Sequence, residues 1–268
     1  MTWQPLFGGR TNTAWKGECG SEAFVAKLYS GPARNPLFPN DPDAERRLLL
    51  ALADGGNTPV FRAQLQTESG VCNLYDHIPG EIWRDGVTDV ARLMADLHAH
   101  PCPEGLRTVP DGSDALLKQG QEILSKSSDS PTLEALKPLG HVPASNLRRL
   151  LHSDIVPGNL IRNTSGLFLI DWQCPATGDP CEDIAVFLSP AMQFLYRGAP
   201  LTEEQIAAFF DAYGHPETAT RYRALTPFFH WRMATYCHWQ TDNGRTDYGA
   251  ALTLELEALQ RSLNSNPT

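Results

Sequence analysis

The chain has 268 residues, of which 31 are acidic and 22 basic, giving a formal net charge of −9 at pH 7. This acidic balance, without a run of Lys or Arg, argues against a nucleic-acid partner and suits a cationic small molecule. The sequence contains no stretch of eighteen apolar residues, no N-terminal leader pattern and no C-x-x-C pair among its six cysteines. We therefore expect a globular cytoplasmic protein with no membrane partner.

The N-terminal part is predicted to form a small antiparallel sheet with one helix. Residues 5–29 alternate turns and short apolar runs, and the run over 23–29 predicts a strand that carries Lys27 near its end. Residues 43–52 begin with acidic residues at the cap and in the first turn, which predicts a helix containing Glu45. Two further strands are predicted over 60–65 and 71–75.

The sequence Asp-His-Ile-Pro-Gly over 76–80 interrupts the strand pattern, and helical periodicity follows it. We place a boundary there, which predicts an N-terminal lobe over 1–75, a hinge over 76–80 and a C-terminal lobe over 81–268. Residues 182–262 are predicted to be almost wholly helical. The first helix after the hinge would have an apolar face of Val90, Leu93, Met94 and Leu97.

Two carboxylates and an amide lie close together in the sequence after residue 152. Asn159 follows Asp154 by five residues, and Asp171 ends an apolar run over 167–170. A hydroxyl that attacks the γ-phosphate of ATP must lose its proton to a positioned acceptor, a role suited to Asp154. Mg²⁺ prefers hard oxygen ligands, which Asn159 and Asp171 supply. Because H-x-D-x-x-x-x-N is the spacing of the protein-kinase catalytic loop, the sequence predicts phosphoryl transfer with ATP and Mg²⁺.

Two segments of the N-terminal part complete this pattern. In a kinase, a strand lysine such as Lys27 contacts the phosphates of ATP, and a helix glutamate such as Glu45 holds it by an ion pair. Taken singly, both are ordinary surface residues, and Glu22 or Asp43 could also pair with the lysine. The turn over 8–13 stands where a phosphate-covering loop would lie, although a plain hairpin turn explains it equally well.

These motifs together resemble those of the aminoglycoside phosphotransferase/choline kinase superfamily of small-molecule kinases. The resemblance covers the chain from Gly8 to about Leu188 and is strongest over 150–188. Ser153 stands where the superfamily usually has Gly, and no activation loop follows Asp171, which argues for a small-molecule acceptor. The similar segments are the first turn (8–12), the inter-lobe hinge (74–80), the catalytic loop (151–159), the metal-binding strand end (170–172) and the motif after it (178–185).

The resemblance implies an α+β, protein-kinase-like two-lobed fold, with a small antiparallel-sheet N-lobe and a larger, mostly helical C-lobe. ATP would bind between the lobes, with Thr11 and Asn12 at the nucleotide and the backbone of Asp76 and Ile78 at the adenine. Asp179 and Asp183 would brace the catalytic loop and edge the substrate cleft.

The aromatic segment over 228–240 bears on the identity of the acceptor. Trp231 and Trp239 are eight residues apart and share one helix face, with Tyr236 close by. Aromatic faces hold quaternary ammonium groups by cation–π attraction, and choline kinases look similar here, although the same rings could simply be core. We therefore expect an amino-alcohol acceptor of the choline or ethanolamine type.

Other acceptors and a non-catalytic role remain alternatives, and the sequence leaves the oligomeric state open. A sugar acceptor fits the same fold, and an aminoglycoside would need several acids. A nucleotide-binding pseudokinase would lack a base or metal residue, and none is missing here. The acids available for an aminoglycoside are Asp242, Asp247, Glu255 and Glu257, which also fit ordinary loop and helix positions.

Overall fold

The computed structural model describes residues 2–6, 11–30, 35–53 and 55–265. Its strands are β1 (Thr2–Leu6), β2 (Thr13–Cys19), β3 (Glu22–Tyr29), β4 (Phe61–Thr67), β5 (Gly70–Asp76), β6 (Glu81–Ile82), β7 (Arg107–Thr108), β8 (Arg149–Leu151), β9 (Leu160–Asn163), β10 (Gly166–Leu169) and β11 (Ala176–Gly178). Its helices are α1 (Pro42–Ala51), α2 (Val87–Ala99), α3 (Ser113–Leu124), α4 (Pro131–Ala135), α5 (Cys181–Leu188), α6 (Pro190–Arg197), α7 (Glu203–Tyr213), α8 (Pro216–Asp242) and α9 (Tyr248–Ser265).

The chain divides into two compact units. Unit 1 comprises Met1–Trp83, Pro103–Leu106 and Gly158–Pro175, and unit 2 comprises the remaining segments, Arg84–Cys102, Arg107–Pro157 and Ala176–Thr268. This division differs from the predicted one, because unit 1 extends past the expected hinge and also takes in β9 and β10. The reason is strand pairing: β6 pairs with β9, and β9 pairs with β10.

Unit 1 contains a five-stranded antiparallel sheet in the order β1-β2-β3-β5-β4. Along β3 the side chains alternate, so that Val25, Lys27 and Tyr29 share the buried face. Helix α1 begins where the Asp41 carboxylate accepts hydrogen bonds from two backbone N–H groups of the first turn, both at 2.9 Å. This start places Glu45 on the buried side of the helix.

Unit 2 is mostly helical, as predicted, with a small sheet in the order β7-β11-β8. The predicted apolar face of α2 is confirmed, since Val90, Leu93, Met94 and Leu97 are all buried. Helices α3, α4, α8 and α9 share a core that includes Trp231. No helix among residues 2–6, 11–30, 35–53 and 55–265 is long and apolar enough to cross a membrane.

Candidate active site

Lys27 of β3 is the centre of a buried ionic cluster in unit 1. Its ammonium lies 2.8 Å from the Glu45 carboxylate and also contacts the Asp171 carboxylate. Lys27 is 3% exposed and Glu45 is 1% exposed. Burial alone would lower the pKa of Lys27, but the charges of Asp171 and Glu45 outweigh it and raise that pKa well above its usual value. The lysine is therefore held as a fixed cation.

Two residues that the sequence analysis missed complete the surroundings of Glu45. The second carboxylate oxygen accepts hydrogen bonds from the Tyr29 hydroxyl at 2.6 Å and from the Asn73 amide at 2.9 Å. Asn73 lies directly opposite Lys27 in the β3–β5 register and is fully buried. In the sequence, the one sign of a role for Asn73 was a polar residue inside the predicted strand over 71–75. The network fixes the orientation of the carboxylate towards Lys27.

Asn159 and Asp171 flank the open end of the β9–β10 hairpin in unit 1, since Asn159 directly precedes β9 and Asp171 follows β10 by two residues. The N–H of Ile170 donates to the Asn159 carbonyl at 3.0 Å, which ties together the two backbone segments. Asp171 has a left-handed backbone with φ of 63°, and 28% of its side chain is exposed. Asn159 is 9% exposed. Both predicted metal ligands thus offer oxygens of the kind that Mg²⁺ prefers.

Asn12 takes part in a second network of unit 1, the amide cluster, which consists of Asn12, Asn40 and Gln173. The Asn12 amide donates to the side-chain oxygens of Asn40 and Gln173, both at 2.8 Å, and accepts from the Asn40 amide at 2.8 Å. Thr11 is half-buried in the bend just before Asn12. The predicted turn glycines Gly8 and Gly9 lie outside the described residues.

The predicted adenine-binding segment begins at the end of β5. The backbone N–H of Asp76 donates to the Val60 carbonyl at 2.9 Å. The Asp76 carboxylate forms a two-point ion pair with Arg62, at 2.6 and 2.7 Å. Ile78, two residues on, is half-buried in an irregular segment.

The predicted base, Asp154, lies in the catalytic loop of unit 2 and is 9% exposed. Its backbone N–H donates to His152 Nδ1 at 3.2 Å, and the Val156 N–H donates to its carbonyl at 3.0 Å. Ser153 has a left-handed backbone with φ of 65°. Glycine adopts this conformation without a steric penalty, which fits the glycine that the family resemblance implies at this position.

Asp183 of α5 anchors this loop. It is fully buried, and its carboxylate accepts hydrogen bonds from the backbone N–H groups of Ser153 at 2.6 Å and His152 at 2.9 Å. His98 Nε2 of α2 lies 3.1 Å from the same carboxylate, and His98 Nδ1 lies 2.8 Å from the Tyr213 hydroxyl. Neither His98 nor Tyr213 could be predicted from the sequence, because only packing brings α2 and α7 to α5.

Asp179 is held by other side chains of unit 2. It accepts from Arg221 of α8 at 2.5 Å and from the Cys181 N–H at the start of α5 at 3.0 Å. Arg221 also contacts the Asp111 carboxylate at 2.8 Å. Asp183 thus braces the catalytic loop, the first of the two roles expected for the pair, whereas Asp179 contacts Arg221 and the start of α5.

The predicted aromatic residues of α8 differ in exposure. Trp231 is fully buried, and its indole N–H donates to the Leu133 carbonyl at 2.8 Å, so it has no surface for an acceptor and is a core residue. Tyr236 is 2% exposed and accepts a hydrogen bond from Gln240. Its ring stacks on Trp239 with a centroid distance of 6.0 Å, and Trp239 is half-buried.

Comparisons with known proteins bear on the family and the fold of the chain. A thiamine kinase of Escherichia coli O1:K1 is 29% identical over 166 residues, and the match spans about half of each protein, 55% of this chain and 55% of the relative. The choline kinase of Cryptosporidium parvum Iowa II has a TM-score of 0.70 at 15% identity over 98% of this chain and 90% of that one.

An aminoglycoside phosphotransferase mutant in a ternary complex with AMP-PNP and hygromycin B has a TM-score of 0.67 at 18% identity, over 100% of this chain and 95% of that one. At these identities the structures show the fold, and the predicted kinase-like α+β class is confirmed. The model of the phosphotransferase enzyme family (APH) matches residues 2–226. The chain therefore belongs to this phosphotransferase family, as the resemblance indicated.

Proposed function

We propose that this chain transfers the γ-phosphate of ATP to the hydroxyl of a small cationic alcohol, with Mg²⁺ as cofactor. The observation that carries the proposal is the buried Lys27, held by Glu45 and in contact with Asp171. Keeping a lysine charged at 3% exposure requires opposite charges around it. A fixed cation of this kind suits the binding of phosphate oxygens.

The donor set fits a magnesium nucleotide. Asn159 and Asp171 supply one amide and one carboxylate oxygen, and the partial exposure of Asp171 leaves that carboxylate accessible to a ligand. Such a sparse protein set suits Mg²⁺ that is shared with phosphate oxygens. When bound there, Mg²⁺ would neutralise negative charge on the phosphates. Thr11 and the backbone of Asp76 and Ile78 would contact the rest of the nucleotide.

Asp154 would orient the acceptor hydroxyl and accept its proton. Asp183 holds the backbone of the loop just before Asp154, so this backbone does not have to be ordered when the acceptor binds. Since base and metal residues are all present, catalysis is better supported than a pseudokinase role.

Two observations support a cationic alcohol as acceptor. The relatives include a thiamine kinase and a choline kinase, and both of these substrates combine a hydroxyl with a permanently positive nitrogen. The half-buried Trp239, stacked on Tyr236, offers an aromatic surface that suits such a cation. Trp231 is left out of the proposed acceptor site because it is fully buried.

An aminoglycoside acceptor is less well supported, because two of the acids that it would use are engaged elsewhere. Glu255 is fully buried against Ser189 and His230. Asp242 accepts a hydrogen bond from the Ser128 N–H at 2.6 Å.

The test is ADP release from MgATP with thiamine, choline, ethanolamine, homoserine, an amino sugar and kanamycin as separate acceptors. We expect turnover with a cationic alcohol, and we expect Asp154→Asn to lower kcat by about 10²–10⁴-fold with little change in nucleotide affinity, because the base is lost. Asp211→Asn, on an exposed position of α7, is the matched control.

Near-normal turnover by Asp154→Asn would contradict the assignment of the base. Asp171→Ala should abolish Mg²⁺-dependent binding of AMP-PNP, and an unchanged affinity would contradict its role as a metal ligand. Turnover with kanamycin alone would favour the aminoglycoside alternative.

A further inference from the structure

We propose that the amide cluster positions the nucleotide site, with Asn12 and Gln173 as positioning residues that do not touch the nucleotide through their side chains. The inference rests on the proposed function, since it concerns binding of MgATP by unit 1. It changes the expected role of Asn12, which the family resemblance placed in direct contact with the nucleotide.

The hydrogen bonds of Asn12 leave its amide no donor for a phosphate. A side-chain amide has two N–H groups, and those of Asn12 go to Asn40 and Gln173, both at 2.8 Å. The Asn12 oxygen accepts from the Asn40 amide at the same distance. A phosphate at the Asn12 side chain would have to break one of these bonds. Asn12 would therefore affect the nucleotide through the segments that it joins.

Those segments are the ones that carry the ionic cluster. Asn40 directly precedes the Asp41 cap of α1, the helix that bears Glu45. Gln173 follows Asp171 by two residues, and its backbone carbonyl accepts the Asp41 N–H at 2.9 Å. The amide cluster thus joins the turn before β2 to the start of α1 and to the strand end at Asp171. A shift of the start of α1 or of the strand end would move Glu45 or Asp171, the two ionic partners of Lys27.

Burial and charge indicate why amides occupy these positions. Gln173 is 4% exposed, so its bond to Asn12 is sheltered from water and is stronger than a surface bond. Amides are neutral, so they join the segments without adding negative charge close to Asp171, where phosphates would bind. A carboxylate at the same place would repel the phosphates.

The experiment is a double-mutant cycle with Asn12→Ala and Gln173→Ala, measured by calorimetric titration with MgAMP-PNP and by chemical unfolding. Because loss of either partner breaks the same connection, we expect each single variant to raise the Kd by about tenfold and the double variant to raise it no further. In turnover assays KM for MgATP should rise more than kcat falls. Gln66→Ala, an exposed amide of β4 in the same unit, should change neither.

Two outcomes would overturn the inference. One is a roughly hundredfold rise in the double variant, which would mean that the residues act independently. The other is a loss of stability without a change in Kd, which would mean that the cluster is purely structural. If Gln173→Ala unfolds, Asn12→Ser, at a half-buried position, still separates a rise in Kd from a loss of stability without a change in Kd. Absence of MgAMP-PNP binding by the wild-type protein would instead overturn the proposed function.

Discussion

Glu45 in unit 1 and Asp183 in unit 2 are both carboxylates that are almost fully buried, but they are stabilised in different ways. Glu45 faces the Lys27 ammonium, a tyrosine hydroxyl and an amide, so all its partners are side chains. Asp183 faces two backbone N–H groups and His98. The Glu45 carboxylate is stabilised by an opposite charge. The Asp183 carboxylate is stabilised by backbone N–H groups of the loop that it holds in place.

This difference predicts which property each substitution will affect. A change at Glu45 alters the position of a cation and should act on nucleotide binding. A change at Asp183 alters the catalytic loop and should act on the chemical step. The following predictions test this separation, beginning with the largest expected effect.

Asp183→Asn is expected to lower kcat by about 100-fold, with a smaller change in KM for MgATP. The asparagine would place an N–H₂ group against a backbone N–H of His152 or Ser153, which would shift the loop that carries Asp154. The measurement is steady-state kinetics at saturating acceptor.

Glu182→Gln is the matched control, because Glu182 precedes Asp183 in α5, is 5% exposed and pairs with the Arg232 side chain at 2.8 Å. It should lower the free energy of unfolding and leave kcat of the folded enzyme unchanged. An equal loss of kcat in both variants would contradict the special role of Asp183.

Glu45→Gln is expected to raise KM for MgATP by about tenfold and to lower kcat less, because Lys27 keeps Asp171 but loses its second carboxylate. The measurement is the KM for MgATP at fixed acceptor concentration. Asp43→Asn, in the first turn of the same helix with 65% of its side chain exposed, should leave both constants unchanged. A loss of kcat alone would contradict the separation between the two carboxylates.

Tyr213→Phe is expected to lower the free energy of unfolding by about 1–2 kcal/mol, since His98 Nδ1 would lose a buried partner. Because Asp183 keeps both backbone bonds, kcat should fall only a few-fold. Chemical denaturation and turnover of the same sample provide the comparison. A fall in kcat as large as that of Asp183→Asn would show that the tyrosine controls the loop directly.

The smallest effect is expected at Asp111, a more exposed carboxylate that is also held by backbone N–H groups. Partial burial alone would raise the pKa of Asp111, but hydrogen bonds from Ser145 and Asn146 and the charge of Arg221 lower it below the usual 3.8. Its contribution to stability is therefore present above pH 3.8 and is lost as the pH falls through the folded-state pKa.

Asp111→Asn should make the free energy of unfolding less dependent on pH in this acidic range, as followed by denaturant titrations. Asp114→Asn, with 76% of its side chain exposed, is the control and should leave the pH dependence unchanged. An unchanged acid dependence in Asp111→Asn would contradict the lowered pKa.

The sequence predicted the residues that belong to local patterns typical of a kinase. Lys27, Glu45 and Asp171 are far apart in the chain, but each lies in such a pattern, and the structure brings the three together. Their supporting partners could not be predicted in the same way. Asn73 meets Glu45 because of the β3–β5 register, and His98 reaches Asp183 because α2 packs against β8, the strand that leads into the catalytic loop.

The aromatic helix shows the same limit. The spacing of Trp231 and Trp239 predicted a shared face, and helical geometry supports that. Exposure, however, depends on what packs against each turn. The ring of Trp231 lies so close to Gly120 of α3 that a Cβ there would come within 2.5 Å of it. Trp239, two turns later, is only half-buried.

The length of α8 has a practical consequence for truncated versions of the protein. The family match ends at residue 226, inside α8 (Pro216–Asp242). A fragment ending there would lose Trp231, which fills the core beside Leu124 and Leu133, and also α9, whose Glu255 accepts the Ala191 N–H at the start of α6. Exposed apolar surface of this kind promotes aggregation. A C-terminally truncated version that keeps the core of unit 2 therefore has to extend at least through Leu259 of α9.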